Sequence, residues 1–365
     1  MTRPLSHATG SASVAGGASL RRWLVFAIAL ALGACGVQPP RSAEESAQAA
    51  RVVQAVDRTV EDRILALDPQ RVTPDDVKLL ARGPTPRVML LHGGIYPVHL
   101  AMESFGQFLV GMGYPESRIR QPKDGAWSHS PYEDADRLAG IVAWYYEKDG
   151  MPPILIGHSQ GGMQAVKVLH VLAGDYGAAV AVWNPLTDFA EDRTAIVDPF
   201  TGKAQPVVGL RLAYASAVGA GGAAFLLPNQ WSLIGRLRNI PDNVEEFTGY
   251  WIDVDLWAWT LPGTDKVRDF TASPNVRLRN VTLSAANNHV FLPASSSLAT
   301  KPAERAWIEA YSPDTKVPPP ADAEVNIAWA ADVWYDVKKY WVIEAQRLIR
   351  AKRANPQPAV AGKLE

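Results

Sequence analysis

The sequence predicts an α/β protein built on a mostly parallel sheet with helices on both faces. Three observations carry that expectation. Short, continuously apolar runs recur along the chain, segments with helical spacing lie between them, and one junction has the form G-x-S-x-G. Strands covered on both faces read as continuous apolar runs because neither side meets water. With 365 residues, 47% of them hydrophobic and 20% charged, the chain has the material for such a core. The 36 basic residues are balanced by 37 acidic ones, which excludes a strongly basic nucleic-acid binder, and no nucleic-acid partner is expected. The 12 Trp, 11 Tyr and 9 Phe argue against disorder over most of the chain.

The N-terminus reads as an address. Arg21 and Arg22 precede an apolar run from Trp23 to Leu32, which ends in Gly33-Ala34-Cys35. A basic region, an apolar run and small residues before a cut describe a secretory signal over residues 1–34. The run would span only about 15 Å as a helix, half a bilayer core, so it is not read as a transmembrane segment. Residues 36–50 are small and polar, and the tether is drawn over 35–55. Cys35 is the one cysteine, so no intramolecular disulfide and no cysteine-based metal cluster is expected.

The expected core domain covers 56–311. Arg87 to Leu91 is its first strand, closed by His92-Gly93-Gly94. Met102, Phe105, Phe108, Leu109 and Met112 follow at helical spacing. Ser130-Pro131-Tyr132-Glu133 reads as the start of the next helix, with Ser130 as cap and Glu133 reaching back to the cap amide. That helix should stop near Asp149-Gly150. Pro153 to Ile156 is a second strand, a helix starts near Gln160, and Ala178 to Trp183 reads as a further strand. Residues 186–245 break the alternation and are read as a cap insertion. Within them the Ala/Gly-rich run from Ala213 to Leu227 is either part of that lid or a core helix of small residues. Phe247 to Ile252 and Val276 to Leu283 are the last strands. A Pro-rich link (312–320) leads to an amphipathic helix with Val325, Trp329, Val333, Val337, Tyr340, Trp341 and Leu348 near one face, ending near 352 before a loose tail (353–365).

Chemistry concentrates at Ile154-Leu155-Ile156-Gly157-His158-Ser159-Gln160-Gly161-Gly162. A serine at a sharp strand-to-helix corner sits beside free helix amides that can hold negative charge. Small residues two before and two after it avoid clashes with the strand and helix. Ser159 is therefore the candidate nucleophile.

With these residues the chain resembles the α/β-hydrolase superfamily, in particular bacterial serine esterases and lipases carrying GHSQGG, over roughly residues 86–295. The resemblance implies an α/β-hydrolase fold and an oxyanion hole made by the amides of Gly94 and Gln160. Each such donor contributes about 2.7–4 kcal/mol to a transition state. The family order is Ser, acid, His. Of the two histidines after Ser159, His170 lies on the helix leaving the elbow and points away, which leaves His289 as the base. The acid stays open. Asp255 follows the strand ending at Ile252 most closely in the family's manner, Asp265 and Asp253 are the alternatives, and Asp188 is an outsider. His92 is read as a structural residue of its loop, and His99 and His129 as surface or structural residues, with a place in the pocket lining as the other reading. Trp231, Tyr250, Trp251, Trp257 and Trp259 are read mostly as core, with an apolar acyl pocket as the other reading.

The tetrad Leu32-Gly33-Ala34-Cys35 resembles a bacterial lipobox, which implies lipidation of Cys35. Residues 1–34 carry Arg3, Arg21 and Arg22 and no acid, so removing +3 from −1 leaves a mature charge of −4. Attachment would then come from acyl chains, at about 0.8 kcal/mol per buried methylene, and not from attraction to acidic lipid. By the same resemblance, Gly36 after the cysteine implies outer-membrane delivery within the bacterial cell envelope. No nucleotide-binding loop or zinc pair is seen, so no cofactor and no metal is expected. The expected function is a lipid-anchored serine hydrolase acting on a carboxylic ester, a small molecule or a lipid. An acyltransferase using the same acyl-enzyme and a non-catalytic envelope interaction protein are the alternatives.

Overall fold

A computed structural model describes residues 58–261 and 268–354. The signal, Cys35, the whole of the tether, Asp265 and the tail beyond 354 lie outside the described residues.

The centre is a five-stranded parallel sheet. Its strands are β1 (Val88–Leu91), β2 (Ile154–His158), β3 (Leu212–Val218), β4 (Val244–Ile252) and β5 (Arg277–Leu283), and each hydrogen-bonds to the next in that order. Five parallel strands put all five C-terminal ends along one edge, where ligands of open α/β sheets bind.

Alternate side chains of each strand enter opposite cores. Val88, Leu90, Ile154, Ile156, Tyr214, Tyr250 and Ile252 face one, Met89, Leu91, Leu155, Ala215, Phe247 and Trp251 the other. The first core is covered by α1 (Arg58–Leu65), α2 (Pro74–Leu80), α3 (Tyr96–Gly111) and, after α6 (Pro302–Ala310), the 28-residue α7 (Ile327–Ala354). The second is covered by α4 (Ala135–Asp149) and α5 (Gln160–Ala173). The predicted apolar face of the last helix is the one it buries, with Trp329, Val333, Val337, Tyr340 and Trp341 in the core. Val325 differs: it precedes the helix and stands exposed.

Three other expectations change. Residues 212–218 are neither lid nor helix but β3, buried at every position in the middle of the sheet. The cap drawn over 186–245 is thus divided by a central strand. Before it lie two small antiparallel hairpins (183–190 and 195–206), and after it come two 3-10 turns, Gly222–Leu226 and Pro228–Leu233. The apolar run 178–183 is not a strand of the main sheet. Val180 and Val182 are buried, but the backbone at Val182 pairs with Glu191 and Arg193 of the neighbouring hairpin. The turn at Ser130 forms as read, the Glu133 carboxylate accepting from the Ser130 amide at 2.8 Å, yet the helix begins five residues later. Asp134 is its cap, with a side-chain bond from Asp136. Gly150 ends that helix in the left-handed conformation, as expected.

Candidate active site

Ser159 sits between β2 and α5 with φ 57° and ψ −124°, a conformation costing a non-glycine residue about 1–3 kcal/mol. Close packing holds it there. A β-carbon on Gly157 would lie 2.3 Å from the carbonyl oxygen of Gly161, and one on Gly161 would lie 2.1 Å from that of Leu91. The two glycines of G-x-S-x-G are therefore required by the approach of β1, β2 and α5.

The structure brings Ser159, His289 and Asp255 together. His289 follows β5 in a loop fixed by its asparagines: Asn288 Oδ1 accepts from the amides of Val290 and Phe291, and the Asn287 side chain donates to the carbonyl of Ser284. His289 Nε2 lies 2.8 Å from Ser159 Oγ, and Nδ1 lies 2.6 Å from Asp255 Oδ2. A carboxylate only accepts, so Nδ1 carries the proton and donates, while Nε2 is left to accept from the serine hydroxyl.

Asp255 is 3% exposed. Its second oxygen accepts from the amides of Trp257 (3.0 Å) and Ala258 (3.1 Å), and its backbone pairs both ways with Thr260. The loop after β4 thus aims one carboxylate oxygen at the imidazole and satisfies the other internally. Asp253 is half exposed, its carboxylate 4.0 Å from Arg268. Asp188 is held far away by Lys123, Arg137 and the Trp183 indole. Burial alone would raise its pKa, but those hydrogen bonds outweigh it and hold the carboxyl below the usual range.

The other histidines are engaged elsewhere. His170 is paired with Asp175 and the carbonyl of Arg236. His92 Nδ1 donates to the Gly93 carbonyl at 2.7 Å, and its ring packs edge-on against His99 at 4.6 Å. His129 lies beside Glu133 on the buried end of the same turn, where burial pushes its pKa down to about 3. His158, fully buried, packs its ring 5.1 Å from that of His289, and burial keeps it neutral by holding its pKa well below the ordinary value.

The His92-Gly93-Gly94 loop passes directly over the elbow. A β-carbon on Gly93 would lie 2.9 Å from Cβ of Ser159, and one on Gly94 would lie 2.2 Å from Oε1 of Gln160. Gln160 is the first residue of α5, so its amide has no partner within the helix. Tyr132 donates to the Gly94 carbonyl at 3.0 Å and fixes that peptide. A negative oxygen over Ser159 would meet the positive end of α5 and the backbone of this loop.

Two positioning features had no clear sequence signal. Gly219, after β3, has φ +60°, and a β-carbon there would lie 2.9 Å from Cε1 of His289. Trp257 stacks over the His289 ring at 6.5 Å while remaining exposed. Of the five aromatics, Tyr250 and Trp251 are core, whereas Trp231, Trp257 and Trp259 stand out from the loops around the site. Among the described residues no helix is long and apolar enough to cross a membrane. Compared with protein families and curated proteins, the chain matches no family model and no curated sequence.

Proposed function

We propose that the chain is a serine hydrolase of the α/β-hydrolase fold that cleaves carboxylic esters through an acyl-enzyme on Ser159. The observation that carries this reading is the continuous relay from Ser159 Oγ through His289 to Asp255, at 2.8 and 2.6 Å. As Oγ attacks the ester carbonyl carbon, His289 Nε2 takes its proton. The charge on the imidazolium is offset by Asp255. The carbonyl electron pair moves to oxygen and is held by the amides of Gly94 and Gln160. Collapse expels the alcohol, which takes the proton from Nε2, and leaves the acyl group on Oγ. Water then attacks the acyl carbon, giving its proton to Nε2, and the acid departs as Oγ regains a proton.

The strained backbone at Ser159 supports the same reading, since such conformations cluster where chemistry is done. The proposal extends to placement: with Cys35 lipidated, the enzyme would be anchored in the bacterial cell envelope, at the outer membrane.

Labelling with a fluorophosphonate probe tests the activity. The intact protein should be modified at Ser159, and Ser159→Ala should lose labelling and ester turnover together while keeping its fold. Retention of turnover by the alanine variant would end the proposal.

A further inference from the structure

The segments that connect β3 to β4 and β4 to β5 are pinned side by side, Asn239 and Ile240 pairing in parallel with Thr271 and Ala272. Each carries an arginine just before that pairing, Arg238 on one and Arg268 on the other. Both line a cavity of about 560 Å³, whose other walls include Phe225, Leu233, Leu237 and Trp259. Its described lining holds no Asp or Glu, and includes neither Ser159 nor His289. Ala258, Trp259 and Thr260 bring the loop that holds Asp255 to one side of it.

The Arg238 guanidinium lies over the Trp251 ring at 4.2 Å and 5.1 Å from the Phe270 ring, and Nη2 donates to the Ala220 carbonyl at 3.0 Å. Nη1 is covered from water and makes no hydrogen bond. Asp269 is the one carboxylate that pulls on this charge, and it does so from a distance. Burial lowers the pKa of Arg238 to about 10, which leaves the charge in place at neutral pH. Arg268 donates to Thr282 Oγ1 at 3.0 Å, with partly exposed Asp269 at 3.7 Å and Asp253 at 4.0 Å. A covered charge with a donor unspent is costly, and an anion beside it removes much of the cost.

We infer that this cavity is a binding site for a carboxylate carried on an apolar body, the carboxylate at Arg238 and the body against Phe225, Leu233 and Trp259. The lining selects the class of ligand. Two arginines disfavour a neutral molecule, and the apolar walls offer nothing to a small bare ion. The volume falls within the roughly 300–1,000 Å³ of small-molecule sites. A monoanion fits better than a phosphate, whose nearly doubled charge and three acceptor oxygens ask for more donors than Arg238 has left. The site is separate from the serine and does not depend on the ester chemistry proposed for it.

Calorimetry on the full chain tests this with octanoate, octan-1-ol, acetate and octyl phosphate. Octanoate should bind at least tenfold more tightly than the alcohol or acetate, and about tenfold more weakly to Arg238→Met. Arg238 also holds the Ala220 carbonyl, so a second variant leaves it untouched. Ile234 lines the cavity and is 65% exposed, and Ile234→Asp should weaken octanoate about tenfold while keeping the parent's thermal unfolding. Prior labelling of Ser159 with a fluorophosphonate should leave octanoate affinity within about twofold. Absence of octanoate binding, equal binding of octanoate and octan-1-ol, or parent affinity in both variants would overturn the inference. So would tighter binding of octyl phosphate, or loss of octanoate binding on labelling, which would put the ligand in the ester site. A chain that takes no label yet binds octanoate through Arg238 would remove the hydrolase reading and leave this site standing.

Discussion

His289 Nδ1 and Asp255 Oδ2 stand 2.6 Å apart although 34 residues separate them in the chain. They meet because β4 and β5 are neighbours and each residue lies in the loop just past its strand. The carboxylate fixes which ring nitrogen bears the proton, and so leaves the other free to take one from Ser159.

This contact makes the acid testable. In Asp255→Asn an amide can donate to Nδ1 and hold the imidazole in the wrong tautomer, so ester turnover should fall by about 10³–10⁴-fold. Asp253→Asn, at a half-exposed carboxylate 4.0 Å from Arg268, should change turnover by less than about twofold. Steady-state kinetics on both variants, with thermal unfolding to confirm folding, decides it. A large loss in Asp265→Asn with Asp255→Asn near normal would reassign the acid.

Gly94→Ala probes the loop over the elbow. The added carbon would sit 2.2 Å from Gln160 Oε1 and 3.1 Å from the Tyr132 hydroxyl, so one of them must move. A displaced amide weakens oxyanion stabilisation, and kcat should drop about 10–100-fold. Because the closer atom is the end of a side chain, Gly94→Ala with Gln160→Ala should recover part of that loss. No recovery in the double variant would show that the Gln160 side chain is not what the added carbon displaces.

Gly219→Ala should act on His289, the proposed base. A β-carbon would stand 2.9 Å from the imidazole on a backbone with φ +60°, so the ring must tilt off Ser159. The expected result is at least tenfold lower kcat and about 1–2 kcal/mol of lost stability in urea unfolding. Wild-type kcat would show that the His289 loop accommodates the carbon without losing the relay.

The sharp turn at Ser159 and the place of His289 beside it were legible because their signals are local or exclusive. The glycines at 157 and 161 are demanded by backbone contacts within a few residues and one neighbouring strand. Only two histidines follow Ser159, and His170 lies on the helix leaving the elbow. The acid was not decided by sequence, because Asp253, Asp255 and Asp265 all sit past one strand and only tertiary distance separates them. β3 was misread because Leu212 to Val218 is buried on both faces. Such a strand has no alternation, and its small residues suit a helix equally well. The start of α4 was misplaced because the turn from Ser130 to Glu133 makes cap-like bonds without a helix behind it. Gly219 was invisible, since its requirement comes from a side chain 70 residues away.

Stability should carry a pH signature from the last helix. Glu344 on α7 is 3% exposed, and its carboxylate accepts from Arg347, which also grips Glu245. Burial raises its pKa to about 7 from an ordinary 4.5, against the pull of Arg347 and with a push from Glu245. Between those two values the folded protein holds a proton that the unfolded chain has released, so this group's contribution to stability falls as pH rises through the window. Glutamine resembles the protonated acid and cannot ionise. Glu344→Gln should therefore match the parent near pH 4, where both states are protonated, and exceed it above about pH 7 by at most roughly 3 kcal/mol. Urea unfolding of the two proteins at both pH values measures the difference. A glutamine variant weaker than the parent at the higher pH would mean that the ion pair with Arg347 outweighs the cost of burying the charge.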